Sequence, residues 1–466
     1  MVMSIAVSQI EDQIRSGKLR IGIVGLGQVG LLSALRFAEV GASVIGIDIS
    51  EPKVELMKQG ICPLNIDFVT KMFNQLHNQG NLQFSSQVEE AAGSSHIQIL
   101  CLPTPLDSDN IPDLSAVVTA CEAVGRRLRK GNLVILESTV YPGVTTKIVK
   151  PILEDASGLK AGEDFGLAYC FERIDPGNTE YRIDNTPKVV SGINEESARA
   201  AAEVYSVIVE APIIKVRNCE TAEMVKLVEN VFRDVNIAYA NEIALLCQRL
   251  DIDVLEVLEA ASTKWSFVPY IPGAGVGGTC IPVNPYYLLK CAREAGLDLK
   301  LVPEARQINE GMAHQVVTMV EKALDKIGSP LKKSKICILG VSYKADIDDI
   351  RGAPAVKIAT ELEQLGAEIV GYDPVVTQVP QGINLARSLE EAVKDADCLI
   401  FINAHSCFQS LNLKTIVALT HAPLAIVDAG HVLVPKEVEA SGITYIGLGR
   451  KQDSELNIWK SGLKKR

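Results

Sequence analysis

The stretch RIGIVGLGQVGLLSALRFAEVGASVIGID, residues 20–48, constrains this chain more than any other. An apolar run, Ile21–Val24, reads as a buried strand. Gly25, Gly27 and Gly30 follow at GxGxxG spacing, with Gln28 and Val29 between the last two. Leu31–Val40 has helical spacing, Gly41 stops it, and a second apolar strand, Ser43–Ile47, ends at Asp48. Strand, glycine turn, helix and strand within about thirty residues make a βαβ unit. Such glycines let the backbone approach a pyrophosphate at a helix N-terminus. An acid at the end of the second strand accepts hydrogen bonds from an adenosine ribose and repels a 2′-phosphate. The expected ligand is therefore NAD rather than NADP, with Asp48 as the selecting residue. The glycine pattern alone also fits a tight turn without a ligand. The flanking strands, the helix and an acid 18 positions beyond Gly30 weigh against that.

The alternation continues. Strand-like runs at Ile97–Leu102 and Leu133–Leu136 flank a helical run, Leu114–Leu128. Strands alternating with helices imply a parallel sheet covered on both faces. From Cys219 the chain runs for more than 30 residues without Pro or Gly, which predicts one long helix or a kinked pair, and more helix follows through Val320. After it, SKICILGVSYK (334–344) is again strand then loop, and GAEIVGYDP (366–374) echoes GASVIGIDI (41–49). With further strands at Cys398–Ile402 and Leu424–Val427, a second Rossmann-like domain is expected. It lacks GxGxxG, so it should not hold a dinucleotide in the same way.

A length of 466 residues fits two or three domains. The net charge of −11 argues against a nucleic-acid partner, because phosphate neutralisation needs a basic surface. Eleven cysteines without a CxxC pair point to a reducing, cytoplasmic setting rather than a disulfide framework. Histidines 77, 96, 314, 405, 421 and 431 form no HExxH motif and no cluster with cysteines, so no metal is expected. Glu11 and Asp12 interrupt any secretory signal, apolar runs are too short to span a membrane, and the basic tail KSGLKKR reads as solvated.

Two segments carry chemistry. On the long helix Lys226 and Asn230 are i, i+4 neighbours, and Asn241 returns to their face. Such a stripe suits a developing oxyanion; the plainer alternative is a solvated helix face. The second segment is GAGVGGTCIPVNP, residues 273–285. A lone cysteine is usually inert packing. Here Gly275, Gly277 and Gly278 should bring the backbone close to a ligand around Cys280, with the Thr279 hydroxyl adjacent, and clear space for it. A nucleophilic thiol suits a dehydrogenase that takes an alcohol to an acid. The first hydride transfer gives an aldehyde, which has no good hydride to give until a thiolate adds. The thiohemiacetal yields the second hydride, and the thioester hydrolyses.

Seven motifs in order resemble the UDP-glucose/GDP-mannose dehydrogenase family over nearly the whole length. They are GLGQVG (25–30), PTPLD (103–107), ESTVYPGVT (137–145), FERIDPGN (171–178), the helix ETAEMVKLVENVFRDVNIAYANE, GVGGTCIPVNP (275–285) and GVSYKADIDDIRGAP (340–354). The resemblance implies NAD-dependent, two-step oxidation of a sugar C6 hydroxyl on a nucleotide sugar. It makes Cys280 the catalytic thiol, Lys226 and Asn230 the oxyanion-stabilising pair, and Glu172 the acid/base group for thioester hydrolysis. Thr139 would stand beside the nicotinamide and the catalytic water. Gly25, Gly27, Gln28, Val29, Gly30, Asp48, Thr104, Thr139 and Arg351 would serve the cofactor. Glu172, Arg173, Lys226, Asn230, Tyr270, Gly273, Gly277, Gly278 and Lys344 would serve the substrate. Without the resemblance, Glu172 beside Arg173 reads as a surface ion pair.

The CIPV sequence resembles the branch acting on UDP-N-acetylglucosamine or UDP-N-acetylmannosamine. That branch usually has His before the cysteine and Asp four residues after it. Here Thr279 and Asn284 stand there, and an Asn cannot carry a proton at neutral pH. The expected fold is α/β, with two Rossmann-like doubly wound domains joined by a long central helix and helical domain. Expected segments are an N-terminal extension (1–18), an NAD domain (19–212), a central helical, dimer-forming domain (213–328) and a nucleotide-sugar domain (329–466). The expected protein is a cytoplasmic homodimer or higher homo-oligomer with no membrane contact. Rival readings are a UDP-glucose 6-dehydrogenase, a β-hydroxyacid dehydrogenase and a non-catalytic paralogue that binds NAD and nucleotide sugar.

Overall fold

A computed structural model describes residues 9–463 apart from 176, 177, 179, 379, 381 and the side chain of Asp67. Two residues of the motif at 171–178 and the last three of the basic tail lie outside the described residues. The chain divides into two compact units, residues 1–229 with 286–297, and residues 230–285 with 298–466. Segment 213–328 is thus shared between them, and the boundary falls inside one continuous helix, Cys219–Leu250. That helix runs unbroken for 32 residues, the first of the two expected forms.

The first unit is built on β1 (Arg20–Val24), β2 (Ser43–Ile47), β3 (Leu82–Ser85), β4 (Ile97–Leu100), β5 (Leu133–Leu136), β6 (Gly166–Tyr169), β7 (Lys188–Gly192) and β8 (Ile213–Lys215). Among the described residues these form one sheet in the order β3-β2-β1-β4-β5-β6-β7-β8. Every neighbouring pair is parallel except β6–β7. The strands read as continuous apolar runs because helices bury both faces; Ile21, Ile23, Ile97, Ile99, Leu133 and Ile135 are fully buried. The short helix Ile10–Arg15 belongs to this core, since Ile10 and Ile14 are also fully buried. The expected strand through Leu102 ends two residues early, at Leu100. The proline-rich PTP segment beyond it offers few N–H groups for a ladder.

The second unit holds β9 (Lys335–Leu339), β10 (Glu368–Tyr372), β11 (Asn384–Leu385), β12 (Cys398–Phe401), β13 (Ala425–Asp428) and β14 (Thr444–Gly447), in the order β11-β10-β9-β12-β13-β14. All pairs are parallel. Its six positions repeat the first six of the first sheet, β3-β2-β1-β4-β5-β6, and the echo reaches single atoms. Gly25 (φ +92°) donates its N–H to Ile47 at 2.7 Å, and Gly340 (φ +89°) donates to Tyr372 at 2.9 Å. Each φ is one that L side chains rarely adopt, which is why glycine stands at both turns.

The two turns then diverge. After Gly25 the helix Gln28–Glu39 begins at once, whereas after Gly340 the chain wanders to the helix Pro354–Gln364. Asp373 occupies the place of Asp48 but is turned inward. It accepts N–H bonds from Val341, Ser342, Val375 and Val376, and pairs with the fully buried His405 Nε2 at 3.1 Å. Despite burial these partners hold its carboxyl at about 2. An acid consumed in this way has no bond left for a ribose, which gives the missing GxGxxG its structural counterpart. Among the described residues no helix is long and apolar enough to cross a membrane.

Candidate functional site

In open parallel sheets, ligands bind beyond the carboxyl ends of the strands, where the strand order reverses. In the first sheet that point lies between β1 and β4. Gly25 turns the chain out of β1, and a Cβ on Gly30 would sit 1.9 Å from the Gly25 carbonyl, so only glycine closes this turn. A Cβ on Gly27 would meet nothing within 4 Å, which leaves open space over the first turn of the helix Gln28–Glu39. Gly27 supplies no side-chain cap there, so the N–H groups at the start of that helix remain for an anion. At the end of β2, Asp48 accepts N–H bonds from Leu26 and Ser50, each at 3.0 Å, and pairs with Lys53 at 2.8 Å. Burial raises its carboxyl, but Lys53 and the two amides prevail and keep it ionised. These residues fit a dinucleotide with Asp48 at its ribose.

The loops after β4 and β5 are laced together at the same edge. The Thr104 hydroxyl donates to the Thr139 carbonyl at 2.8 Å, and Tyr287 donates its hydroxyl to the Thr104 carbonyl. Fully buried Glu223 accepts from the Gly143 and Thr145 N–H groups and the Thr145 hydroxyl, pinning the loop that carries Thr139 to the long helix.

Glu172 follows β6 and is buried. The surface ion pair with Arg173 is not formed; Arg173 binds Glu229 and the Pro187 carbonyl instead. Glu172 pairs with Lys188 at 2.7 Å, and Lys188 also meets Glu137 at 2.8 Å. Lys226 donates to the Glu172 carbonyl at 2.8 Å and lies 5.5 Å from the centre of the Phe171 ring. Burial raises the Glu172 carboxyl and Lys188 more than reverses it, so Glu172 is held below its ordinary value; Glu137 is pushed up by burial. The sequence gives Lys188 and Glu137 no role of their own. Their signal was faint, a charge opening the apolar run KVVSG and another closing LVIL.

The solvated-face alternative for the long helix fails, because Lys226, Asn230 and Asn241 are all buried. Asn241, however, does not join an oxyanion stripe. Its amide donates to Asn309 at 2.9 Å and accepts the Gly273 N–H at 2.9 Å, so both ends are spent holding the start of the cysteine loop. Asn230 donates to the Oδ1 of Asn284, which is 3% exposed. An Asp at 284 would accept the same bond, so the substitution keeps this contact and loses only the titratable proton.

Cys280 is exposed, which rules out inert packing. Its carbonyl accepts the Asn284 N–H at 3.0 Å, so the thiol stands on the turn that opens the helix Asn284–Glu294. The glycines before it make a close approach within the chain itself. A Cβ on Gly277 would lie 2.6 Å from Tyr343 Cβ and 2.9 Å from the Gly352 carbonyl, and one on Gly278 would strike the Tyr343 ring at 3.0 Å. Gly275 faces the Asn309 carbonyl and Pro354. These three glycines admit the 343–354 segment; Gly273 alone has open space where its side chain would be. Tyr270 packs edge-on against Phe232, Lys344 accepts the Ser342 hydroxyl at its carbonyl, and Arg351 is gripped by both oxygens of Asp349.

A parallel sheet with a dinucleotide turn, followed by a helix bearing a buried lysine and a loop presenting a thiol, defines an NAD-dependent oxidoreductase. Residues 19–209 match the NAD binding domain of the UDP-glucose/GDP-mannose dehydrogenase family, 220–311 its central domain and 337–435 its UDP binding domain. The chain belongs to that family. It is 35% identical over 433 residues to UDP-N-acetyl-D-mannosamine dehydrogenase of Pyrococcus horikoshii, covering 93% of this chain and 99% of the relative. It is 35% identical to UDP-N-acetyl-D-glucosamine 6-dehydrogenase of Pseudomonas aeruginosa, covering 89% and 97%. The solved structure of the Pyrococcus horikoshii UDP-D-ManNAc dehydrogenase superimposes with a TM-score of 0.86, at 35% identity, over 93% of this chain and all of the other.

Proposed function

We propose that this protein oxidises the C6 hydroxyl of a UDP-N-acetylhexosamine, UDP-GlcNAc or UDP-ManNAc, to the uronic acid. The observation that carries the reading is Cys280, an exposed thiol on a helix-opening turn within a chain that matches all three parts of the family. Two NAD molecules, bound one after the other, would supply the hydride acceptor for the two oxidations at C6. Gly25, Gly27, Gln28, Val29 and Gly30 would cradle the pyrophosphate of each, Asp48 its ribose, and Thr104, Thr139 and Arg351 would line its remainder. Lys226 and Asn230 stabilise the alkoxide, and later the oxyanions at C6. The Cys280 thiolate adds to the aldehyde, and Glu172 takes a proton from the water that hydrolyses the thioester. Arg173, Tyr270, Gly273, Gly277, Gly278 and Lys344 stand on the substrate side, three of these six through the loop and its packing. The residues beyond 329 hold the uridine nucleotide. A Cys280→Ala variant tests the thiol: it should form no uronic acid at a measurable rate, and uronic acid at the wild-type rate would refute the mechanism.

The working form is a homodimer or a higher homo-oligomer. Val228, Phe232, Tyr239, Leu246 and Leu250 are each at least half exposed and recur on one face of the helix Cys219–Leu250, an apolar stripe that a second copy would cover. Light scattering that finds only monomer at micromolar concentration would refute this. All eleven cysteines are free, which suits a cytoplasmic enzyme supplying surface-polysaccharide or glycan synthesis.

A further inference from the structure

The sheet topology explains how Lys188 reaches Glu172. Strand β7 runs antiparallel to β6, with Ala168 opposite Gly192 and Tyr169 opposite Ser191. Continuing that register sets Glu172, just beyond β6, opposite Lys188, the first residue of β7. The one antiparallel step in this sheet, between β6 and β7, therefore delivers a cation to the edge where the acids lie. Lys188 is 2% exposed and sits 4.4 Å from the centre of the Tyr205 ring. Its ammonium donates to Glu172 Oε2 and to Glu137 Oε1. The other Glu137 oxygen accepts the Cys101 thiol at 3.1 Å. The other Glu172 oxygen accepts the backbone N–H groups of Arg173 at 2.7 Å and Ile174 at 3.0 Å. Both oxygens of both acids are thus fixed in direction.

Buried ion pairs contribute little net stability against apolar replacements, so a cluster of this kind calls for another reason. Besides the two acids and Lys188, the titratable groups facing it are Cys101, Cys170, Tyr205 and Lys226. Burial pushes the two thiols and the phenol up, Cys170 to about 12, so all three stay neutral through the working range. That leaves the two carboxyls as the groups whose protonation the cluster decides. Burial would protonate Glu172, and Lys188, with Lys226 beyond it, opposes that; Glu137 is the acid left above its ordinary value.

We propose that Lys188, braced by Glu137, is a positioning residue that holds Glu172 as an oriented carboxylate for thioester hydrolysis. The proposal rests on Glu172 being the base of the reaction described above. In that step the water oxygen bonds to the thioester carbonyl carbon and its proton passes to Glu172. The C–S bond breaks with its electron pair going to sulfur. The products are the sugar acid, a Cys280 thiolate and one proton on Glu172, which then leaves to solvent.

The test uses Lys188→Gln, Glu137→Gln and Glu172→Gln in the full-length protein, with UDP-GlcNAc, UDP-ManNAc and NAD as probes. Three quantities are read: NADH formed in the first turnover, the covalent adduct on Cys280 by intact-protein mass spectrometry, and the pH profile of kcat. Lys188→Gln should keep the first-turnover NADH, accumulate the adduct and lower kcat at least tenfold. It should also move the acidic limb of kcat up by a pH unit or more, because Glu172 then protonates more readily. A Lys188→Gln protein with wild-type adduct level and limb would show that the cluster is structural and overturn the proposal. If that variant does not fold, Glu137→Gln decides: Lys188 then serves Glu172 alone, so the limb should move down, and an unmoved or raised limb overturns the proposal. Adduct accumulation in Glu172→Gln but not in Lys188→Gln rejects only the role of Lys188. No accumulation in Glu172→Gln rejects the underlying assignment of the base, and the proposal with it.

Discussion

A methyl group at residue 277 separates two explanations for the glycines before Cys280. Gly277 has no positive φ, so alanine there brings no backbone strain and any cost comes from contacts. Its Cβ would lie 2.6 Å from Tyr343 Cβ, 2.9 Å from the Gly352 carbonyl and 3.2 Å from Pro354 Cδ. None of these is the far end of a flexible side chain, so the clash cannot be relieved by a rotamer change. Overpacking of this kind costs about 1–3 kcal/mol. For a domain of this size that lowers Tm by roughly 2–12 °C. Gly273→Ala is the matched control, because its Cβ would meet nothing within 4 Å and its N–H would still reach Asn241. Scanning calorimetry without substrate should show a depressed transition for Gly277→Ala and a wild-type transition for Gly273→Ala. If instead Gly277→Ala melts like wild type and only its KM for the sugar rises, the glycine serves the ligand, and the packing argument is wrong.

Two other perturbations follow from single residues. Asp48→Asn removes the charge that rejects a 2′-phosphate while Lys53 stays in place. NADP use relative to NAD should rise at least tenfold, about 1.4 kcal/mol, and unchanged kcat/KM ratios for the two cofactors would count against Asp48 as selector. His431 is fully buried, its Nε2 donates to the Pro272 carbonyl at 3.0 Å, and burial lowers its pKa to about 3. The fold holds it neutral, so its contribution is complete above pH 6.5 and is lost as pH falls toward 3, in all roughly 5 kcal/mol. His431→Leu should therefore flatten the loss of stability between those limits in urea melts at stepped pH, and an unchanged slope would refute the assignment.

Much of the fold was legible because its signals are local. The glycine turn, the apolar strands and the uninterrupted helix each follow from residues close in sequence, and Ser43–Ile47 lies where the pattern put it. The echo between 41–49 and 366–374 likewise marked two strands that occupy matching places in two sheets. What stayed hidden depends on pairings across distance. Lys188 meets Glu172 only through the reversal of β7, and a lysine at the head of an apolar run does not announce that. Asn241 shares a helical face with Lys226, but its partners Asn309 and Gly273 are distant in sequence. The glycines near Cys280 signalled a close approach correctly; sequence could not say that Tyr343 and Gly352 were what approached.

The proposed reaction has one chain perform two oxidations at a single carbon by way of Cys280. Its most direct test is the NADH formed per sugar consumed, with UDP-GlcNAc, UDP-ManNAc and UDP-glucose offered separately. About two NADH per sugar are expected, the electron count of an alcohol taken to an acid, with an N-acetylated sugar and little turnover of UDP-glucose. That result would also show that Asn284 sustains the reaction. About one NADH per sugar, with the aldehyde or a stalled thioester as product, would contradict it.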